Sequence, residues 1–372
     1  MKIFILGTAY PYRGGLAAFN ERLARQFQKE GHEVFLETFT LQYPNFLFPG
    51  KTQFSESPAP SDLQISRSVN SVNPFNWISV GKKIRDLKPD ILVLGFWIPF
   101  MAPCMGTIAR IVRKNGHTKV SAVLHNVVPH EPRIGDKSLV SYFIKSVDGC
   151  VVMSKSVEDD VLQFEKKKAV GVCPHPLYDH FGTLMPRETA LESLSLDCSY
   201  RYLLFFGLIR DYKGLDLLLE AFADKRIDKS KFRLLIAGEY YGDGEKYENM
   251  AKELGVYDNI IWHTRYIADK DVSLYFSAAD LIVQPYKTAT QSGVTQIAYH
   301  FEKPMLVTNV GGLSEIVPNG KVGYVSEADP KSIADSLSDF CEKLPDFSQG
   351  LLEEKRKYAW DKMTQEVISV VV

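Results

Sequence analysis

Cysteine is scarce and scattered. The five in this chain stand at 104, 150, 173, 198 and 341, an odd number with no CxxC pair. That supports neither a thiolate zinc site nor a disulfide framework, and it fits a reducing compartment. Charge of one sign is lacking too: 44 Lys and Arg stand against 45 Asp and Glu, a net charge of −1. A protein built to coat nucleic acid or an anionic membrane is thereby excluded, while a local basic pocket remains compatible with the balance. Long apolar runs are missing. Met1-Lys2 leads directly into Ile3–Leu6, which is too short for a signal-peptide core and has no small-residue cleavage site after it. The longest uncharged window, Ile91 to Ala109, has 19 residues but contains Gly95, Pro99, Pro103 and Gly106. A buried strand, a loop and a helix start are expected there, not a membrane span. The expected location is cytoplasmic, with membrane contact at most peripheral at the inner face. GxGxxG does not follow the first apolar run, which removes the main mark of a nicotinamide-dependent oxidoreductase.

What is present is an α/β pattern. At 372 residues, 45% hydrophobic and 24% charged, the chain has the size for two globular domains. Short β-branched runs alternate with amphipathic stretches, the pattern of a parallel sheet wrapped by helices. In the first half, strands are expected at Ile3–Leu6, Val34–Leu36, Asp90–Leu94, Val120–Leu124 and Gly149–Met153. Leu16, Phe19, Leu23 and Phe27 share one helical face, and Gly31 is placed to end that helix. Residues 40–75 show no period and read as a long surface loop. A second series places strands at Tyr202–Phe206, Phe232–Ala237, Ile260–His263, Asp280–Gln284, Met305–Thr308 and Gly323–Val325. Between the two series, Pro174-His175-Pro176-Leu177 suits a stiff hinge. The expected architecture is two doubly wound parallel-sheet domains facing each other, over residues 1–175 and 176–350.

In such sheets ligands bind beyond the carboxyl ends of the strands, and three loops there suit anionic phosphate. Tyr12-Arg13-Gly14-Gly15 follows strand one and opens a helix, so backbone N–H groups and a helix N-terminus face the same point. Gly207-Leu208-Ile209-Arg210-Asp211-Tyr212-Lys213-Gly214 follows the first strand of the second series. Its Arg210 and Lys213 pair a bidentate fork with a compact charge, a sensible combination for a diphosphate. Pro285-Tyr286-Lys287-Thr288-Ala289-Thr290-Gln291-Ser292-Gly293 precedes another helix, where the hydroxyls either cap the helix or hold a phosphate. Both cations of the second loop are expected to lie in solvent.

These residues resemble a known family. Leu203-Leu204-Phe205-Phe206-Gly207, followed by Lys213-Gly214-Leu215-Asp216-Leu217-Leu218-Leu219-Glu220-Ala221-Phe222, is similar to the signature of the family 4 (group 1) glycosyltransferases. Lys303-Pro304, Thr308-Asn309-Val310-Gly311-Gly312-Leu313-Ser314-Glu315 and Gly323 resemble that family's C-terminal run. Gly14-Gly15 and Gly31-His32-Glu33-Val34 match its N-terminal end. The resemblance implies a GT-B fold of two Rossmann-like domains around a central cleft. The N-terminal domain would take the acceptor, the C-terminal one the nucleotide-sugar, and residues 351–372 would return to the first domain. It implies a retaining transfer from a nucleoside-diphosphate sugar to a saccharide or lipid-linked saccharide hydroxyl, in cell-surface polysaccharide or glycoconjugate synthesis, with no cofactor and no bound metal. Arg210 and Lys213 would take the diphosphate. Gly207, Thr290, Gln291, Ser292 and Gly293 would line the phosphate turn, and Gly14 and Gly15 would also bind the donor. His125, after a central strand, falls where the family often has a histidine near the donor sugar.

Two departures stand out. The family places arginine directly after the first glycine, where this chain has Leu208, with Arg210 two places later. Its Glu-x7-Glu element is absent: no carboxylate occurs around 287–297, and Gln296 or Ile297 falls near the second glutamate, which ordinarily holds the ribose. Gln296 can serve there as a neutral hydrogen-bonding group. Loss of both glutamates favours a second reading, a non-catalytic nucleotide- or sugar-binding protein on the same fold.

Overall fold

The computed structural model describes residues 1–44, 53–55, 58–127, 135–289 and 292–372. The chain divides into two compact units, Met1–Pro176 with Ala359–Val372, and Leu177–Tyr358. Each is built on one wholly parallel sheet.

The first sheet has seven strands: β1 Lys2–Leu6, β2 Glu33–Leu41, β3 Ile65–Asn70, β4 Ile91–Phe96, β5 Lys119–Leu124, β6 Gly149–Val152 and β7 Ala169–Val172, in the order β3-β2-β1-β4-β5-β6-β7. Its central strands are apolar on both faces, all six residues of β4 being buried, as a sheet covered by helices on each side requires. The helix Gly15–Lys29 buries Ala17, Phe19, Leu23 and Phe27 on one face, the stripe expected from the sequence. Trp360, Met363 and Val367 of the helix Trp360–Ser369 join the same core. Gly149 of β6 permits that packing, because a Cβ there would lie 2.3 Å from the Val370 carbonyl oxygen.

The second sheet has six strands: β8 Arg201–Phe206, β9 Phe232–Ala237, β10 Ile260–His263, β11 Leu281–Gln284, β12 Met305–Thr308 and β13 Gly323–Ser326, in the order β10-β9-β8-β11-β12-β13. In both sheets the winding reverses beside the first strand, between β1 and β4 and between β8 and β11. A ligand crevice opens at such a switch point.

Several expectations need correction. The stretch 40–75 is not only loop, since it contains β3, an edge strand in which only Val69 is buried; a strand half-covered by polar residues leaves little apolar pattern. β7 at the opposite edge is hidden for the same reason. The helices Lys155–Phe164 and Arg187–Ser193 have no counterpart among the elements expected from the sequence. The returning segment is shorter than 351–372: Leu351 and Tyr358 belong to the core of the second unit, and Trp360 to that of the first.

Candidate active site

The loop after β8 is shaped by backbone no other residue adopts easily. Gly214 has φ +68°, and a Cβ on it would lie 1.9 Å from the Pro285 carbonyl oxygen. The β8 loop therefore lies directly on the start of the β11 loop, and Lys287 N–H donates to the Tyr212 carbonyl at 2.7 Å. Asp211 accepts from Lys246 and Lys287 at 3.3 and 3.2 Å, and Lys287 also reaches Asp216 at 2.7 Å. These exposed pairs add little stability, but they engage Asp211 with Lys246 and Lys287.

Lys213 is the centre of the arrangement. It is only 9% exposed, contrary to the expectation of a solvated side chain, and no carboxylate among the described residues pairs with it. Gly207 makes the room: a Cβ there would meet the Lys213 Nζ at 3.0 Å. Burial, and secondarily the charge of Arg210, brings the ammonium down to about 8. The ammonium lies 5.6 Å over the Tyr286 ring. Lys213, Tyr178, Tyr212, Tyr286, Ser292, Gly293 and Ile297 line a pocket of about 250 Å³.

The far wall is the start of the helix Gly293–His300. Ser292 caps it, its Oγ accepting from Val294 N–H at 3.2 Å and lying 3.2 Å from the Tyr286 hydroxyl. The first turn of a helix carries partial positive charge, so a buried cation and a helix N-terminus flank one small cavity with no acid in its lining. That combination suits a phosphate or diphosphate.

The structure thus brings together Lys213, Gly207, Ser292 and Gly293. Arg210 is not in the lining, its guanidinium stacking 4.0 Å from the Tyr241 ring centre. Gln296 is not in the lining either; it is 3% exposed, with its Oε1 unpartnered, and Val294 and Ile297 present the helix to the pocket instead. Thr290 and Gln291 lie outside the described residues. Sequence reasoning missed Tyr178 and Phe181 of the wall, and gave no role to Tyr212 and Tyr286 although both stand in the phosphate-type loops. Tyr178 follows the proline hinge, which gave a boundary but no hint of a site. It also missed Gln284 at the end of β11, buried with neither amide atom hydrogen-bonded.

In the first unit, Gly14 has φ +105° and precedes the helix Gly15–Lys29, and a Cβ on either glycine would meet nothing within 4 Å. The turn is open, with its backbone accessible. His125 follows β5 and is half-buried; its ring lies edge-on to Phe19 at 4.7 Å, and its Nε2 is enclosed without a partner. Burial, helped by His175, pushes it down to about 3, so its imidazole is neutral across the physiological range. Among the described residues, no group of three His, Cys, Asp or Glu side chains is arranged to hold a metal ion. No described helix is long and apolar enough to cross a membrane, and all five cysteines are free.

Two family models divide the chain between them: residues 13–177 match Glycosyltransferase Family 4, and residues 200–343 match Glycosyl transferases group 1. The chain belongs to this glycosyltransferase family and has the GT-B fold. The lipopolysaccharide 1,2-N-acetylglucosaminetransferase of Salmonella typhimurium is 27% identical over 212 residues, 53% of this chain and 55% of that protein; the match spans about half of that relative. An uncharacterized glycosyltransferase of Methanocaldococcus jannaschii is 23% identical over 398 residues, covering 100% of this chain and 97% of its own. Among solved structures, an Anabaena protein in complex with UDP-glucose superposes with a TM-score of 0.66 at 13% identity, covering 99% of this chain and 98% of that one.

Proposed function

We propose that this glycosyltransferase moves a sugar, with retention, from a nucleoside-diphosphate sugar to a hydroxyl of a saccharide or lipid-linked saccharide. The observation that carries the reading is Lys213, a buried cation with no counter-ion among the described residues, facing a helix N-terminus at the switch point of the second sheet. A free-standing protein gains nothing by burying that charge; a bound diphosphate supplies the missing partner. Lys213 and Arg210 stabilise the negative charge that gathers on the leaving diphosphate, which makes catalysis a matter of positioning and electrostatics without a metal ion. The bond from C1 to the phosphate oxygen breaks and the acceptor oxygen bonds to C1 on the same face. The acceptor proton passes to the departing phosphate oxygen.

Gln296, buried with its Oε1 enclosed and outside the pocket lining, is not placed to hold the ribose. Gly14 and Gly15 serve the donor, and neutral His125 gives or takes a hydrogen bond at the donor sugar without charge. The lipopolysaccharide relative supports an acceptor in surface glycoconjugate synthesis. The free cysteines fit a cytoplasmic enzyme with at most peripheral membrane contact.

The competing reading, a binding protein without turnover, draws on the pocket's lack of any carboxylate. A thermal-shift screen with UDP, GDP, ADP and their sugars, followed by product analysis with the stabilising donor, decides between them. Stabilisation with product release supports the transferase; stabilisation by a donor that no acceptor consumes supports the binding protein; no stabilisation by any nucleotide removes both.

A further inference from the structure

Arg210 carries its charge without an acid. No ion pair or hydrogen bond to its guanidinium occurs among the described residues, and its Nε is enclosed without a partner. What holds it is the ring of Tyr241, 4.0 Å from the guanidinium carbon. Tyr241 is 67% exposed.

The loop after β9 explains how the ring comes to lie there. Gly238 has φ +152°, and a Cβ on it would fall 2.1 Å from the Gly207 carbonyl oxygen, so the β9 and β8 loops touch at two glycines. Past that contact they run as a short parallel pair: Ile209 N–H donates to the Glu239 carbonyl at 2.8 Å, and Tyr241 N–H to the Ile209 carbonyl at 2.9 Å. Tyr240 is locked inward, its ring stacked on Tyr247 at 6.2 Å and 6°, over a Gly244 that leaves it space. In extended backbone, neighbouring side chains point to opposite sides. With Tyr240 fixed inward, Tyr241 is turned outward, onto the residue after Ile209.

We propose that Tyr241 is a positioning residue for Arg210: its ring holds the guanidinium, through a cation–π stack, where a diphosphate can receive it. The inference rests on the donor reading above. An acid in the same place would hold Arg210 as firmly but neutralise it, and would repel the diphosphate. An aromatic face holds the cation and leaves its N–H edge and its charge unspent. The stack also fixes a long, flexible side chain before the ligand arrives, so less rotamer freedom is lost on binding.

The test is titration of the full chain with inorganic pyrophosphate in metal-free buffer, for wild type, Tyr241→Phe, Tyr241→Leu, Arg210→Ala and the double variant Arg210→Ala/Tyr241→Leu. Thermal midpoints are recorded alongside; an exposed ring leaves them close to wild type. Tyr241→Phe should bind as wild type, and Tyr241→Leu about two- to five-fold more weakly, the scale of an exposed cation–π contact. On the Arg210→Ala background, Tyr241→Leu should change nothing. Equal weakening with and without Arg210, no weakening at all beside an effect of Arg210→Ala, or a Tyr241→Phe as weak as Tyr241→Leu would each overturn the assignment. If Arg210→Ala itself leaves pyrophosphate affinity unchanged, the place of Arg210 in the donor site falls, and the role of Tyr241 with it.

Discussion

Lys213→Met exchanges a buried ammonium for an apolar chain of comparable length, and its effects on stability and on turnover should have opposite signs. Lys213 is held at about 8, against an ordinary 10.5. At about 1.4 kcal/mol for each pH unit of that difference, burying the charge costs the ligand-free fold on the order of 3 kcal/mol at neutral pH. The sign follows from proton counting. Between pH 8 and 10.5 the unfolded chain keeps the proton that the folded protein has released, so wild-type stability rises with pH across that window. Lys213→Met lacks the slope and should be the more stable protein at pH 7. The same change removes a stabiliser of the leaving diphosphate, and turnover should fall by roughly 10²–10³, about 3–4 kcal/mol. The ligand reverses the perturbation: pyrophosphate beside Lys213 favours the charged form, so binding at pH 8 should take up about half a proton per site. Chemical denaturation of both proteins at pH 7 and 10 checks the stability, and calorimetry in buffers of different ionisation enthalpy counts the proton. A variant no more stable than wild type at pH 7, or one that turns over at the wild-type rate, would refute the reasoning.

Exhaustive EDTA treatment should leave activity intact, since Lys213 and Arg210 supply the positive charge; loss on chelation with recovery on adding Mg²⁺ or Mn²⁺ would reverse that reading. Gln296→Ala should leave nucleotide affinity unchanged, because the side chain is buried behind the pocket lining, while Gln296→Glu should lower the thermal midpoint by burying a carboxylate without a partner; titration and thermal melts of both check this, and a loss of nucleotide affinity in Gln296→Ala would place the amide in the donor site. His125, pushed down to about 3, should contribute no inflection to the rate between pH 5 and 8. Because the unfolded chain takes that proton first, stability should decline as pH falls below 6.5, and acid unfolding of His125→Gln should show a shallower decline.

Much of this protein was legible in the residue order alone. The strands with two apolar faces, such as Ile91–Phe96 and the Met305–Val307 part of β12, are continuous hydrophobic runs because helices cover both sides of a parallel sheet. The Phe19–Leu23–Phe27 stripe and the glycines at helix ends are local signals, fixed by period and backbone freedom. The phosphate-type loops were readable for the same reason: Gly207, Gly214 and Ser292 act through their own backbone or that of their neighbours. The edge strand Ile65–Asn70 was not readable, because only Val69 is fully buried and Ile65 packs at the margin of a core, and the pattern is too thin to register. The burial of Lys213 was beyond the sequence as well. A lysine after a glycine turn reads as solvated, and only the lie of the β8 loop against Pro285, with the space left at Gly207, takes it out of water. Tyr178 and Gln296 show the same limit from opposite sides. One is brought to the pocket from far before the loops it joins, more than a hundred residues ahead of Tyr286 and Ser292, and the other is turned from the lining by the way its helix lies on the sheet. Local chemistry chose which groups are available; the packing of distant segments decided which of them meet, and in what dielectric.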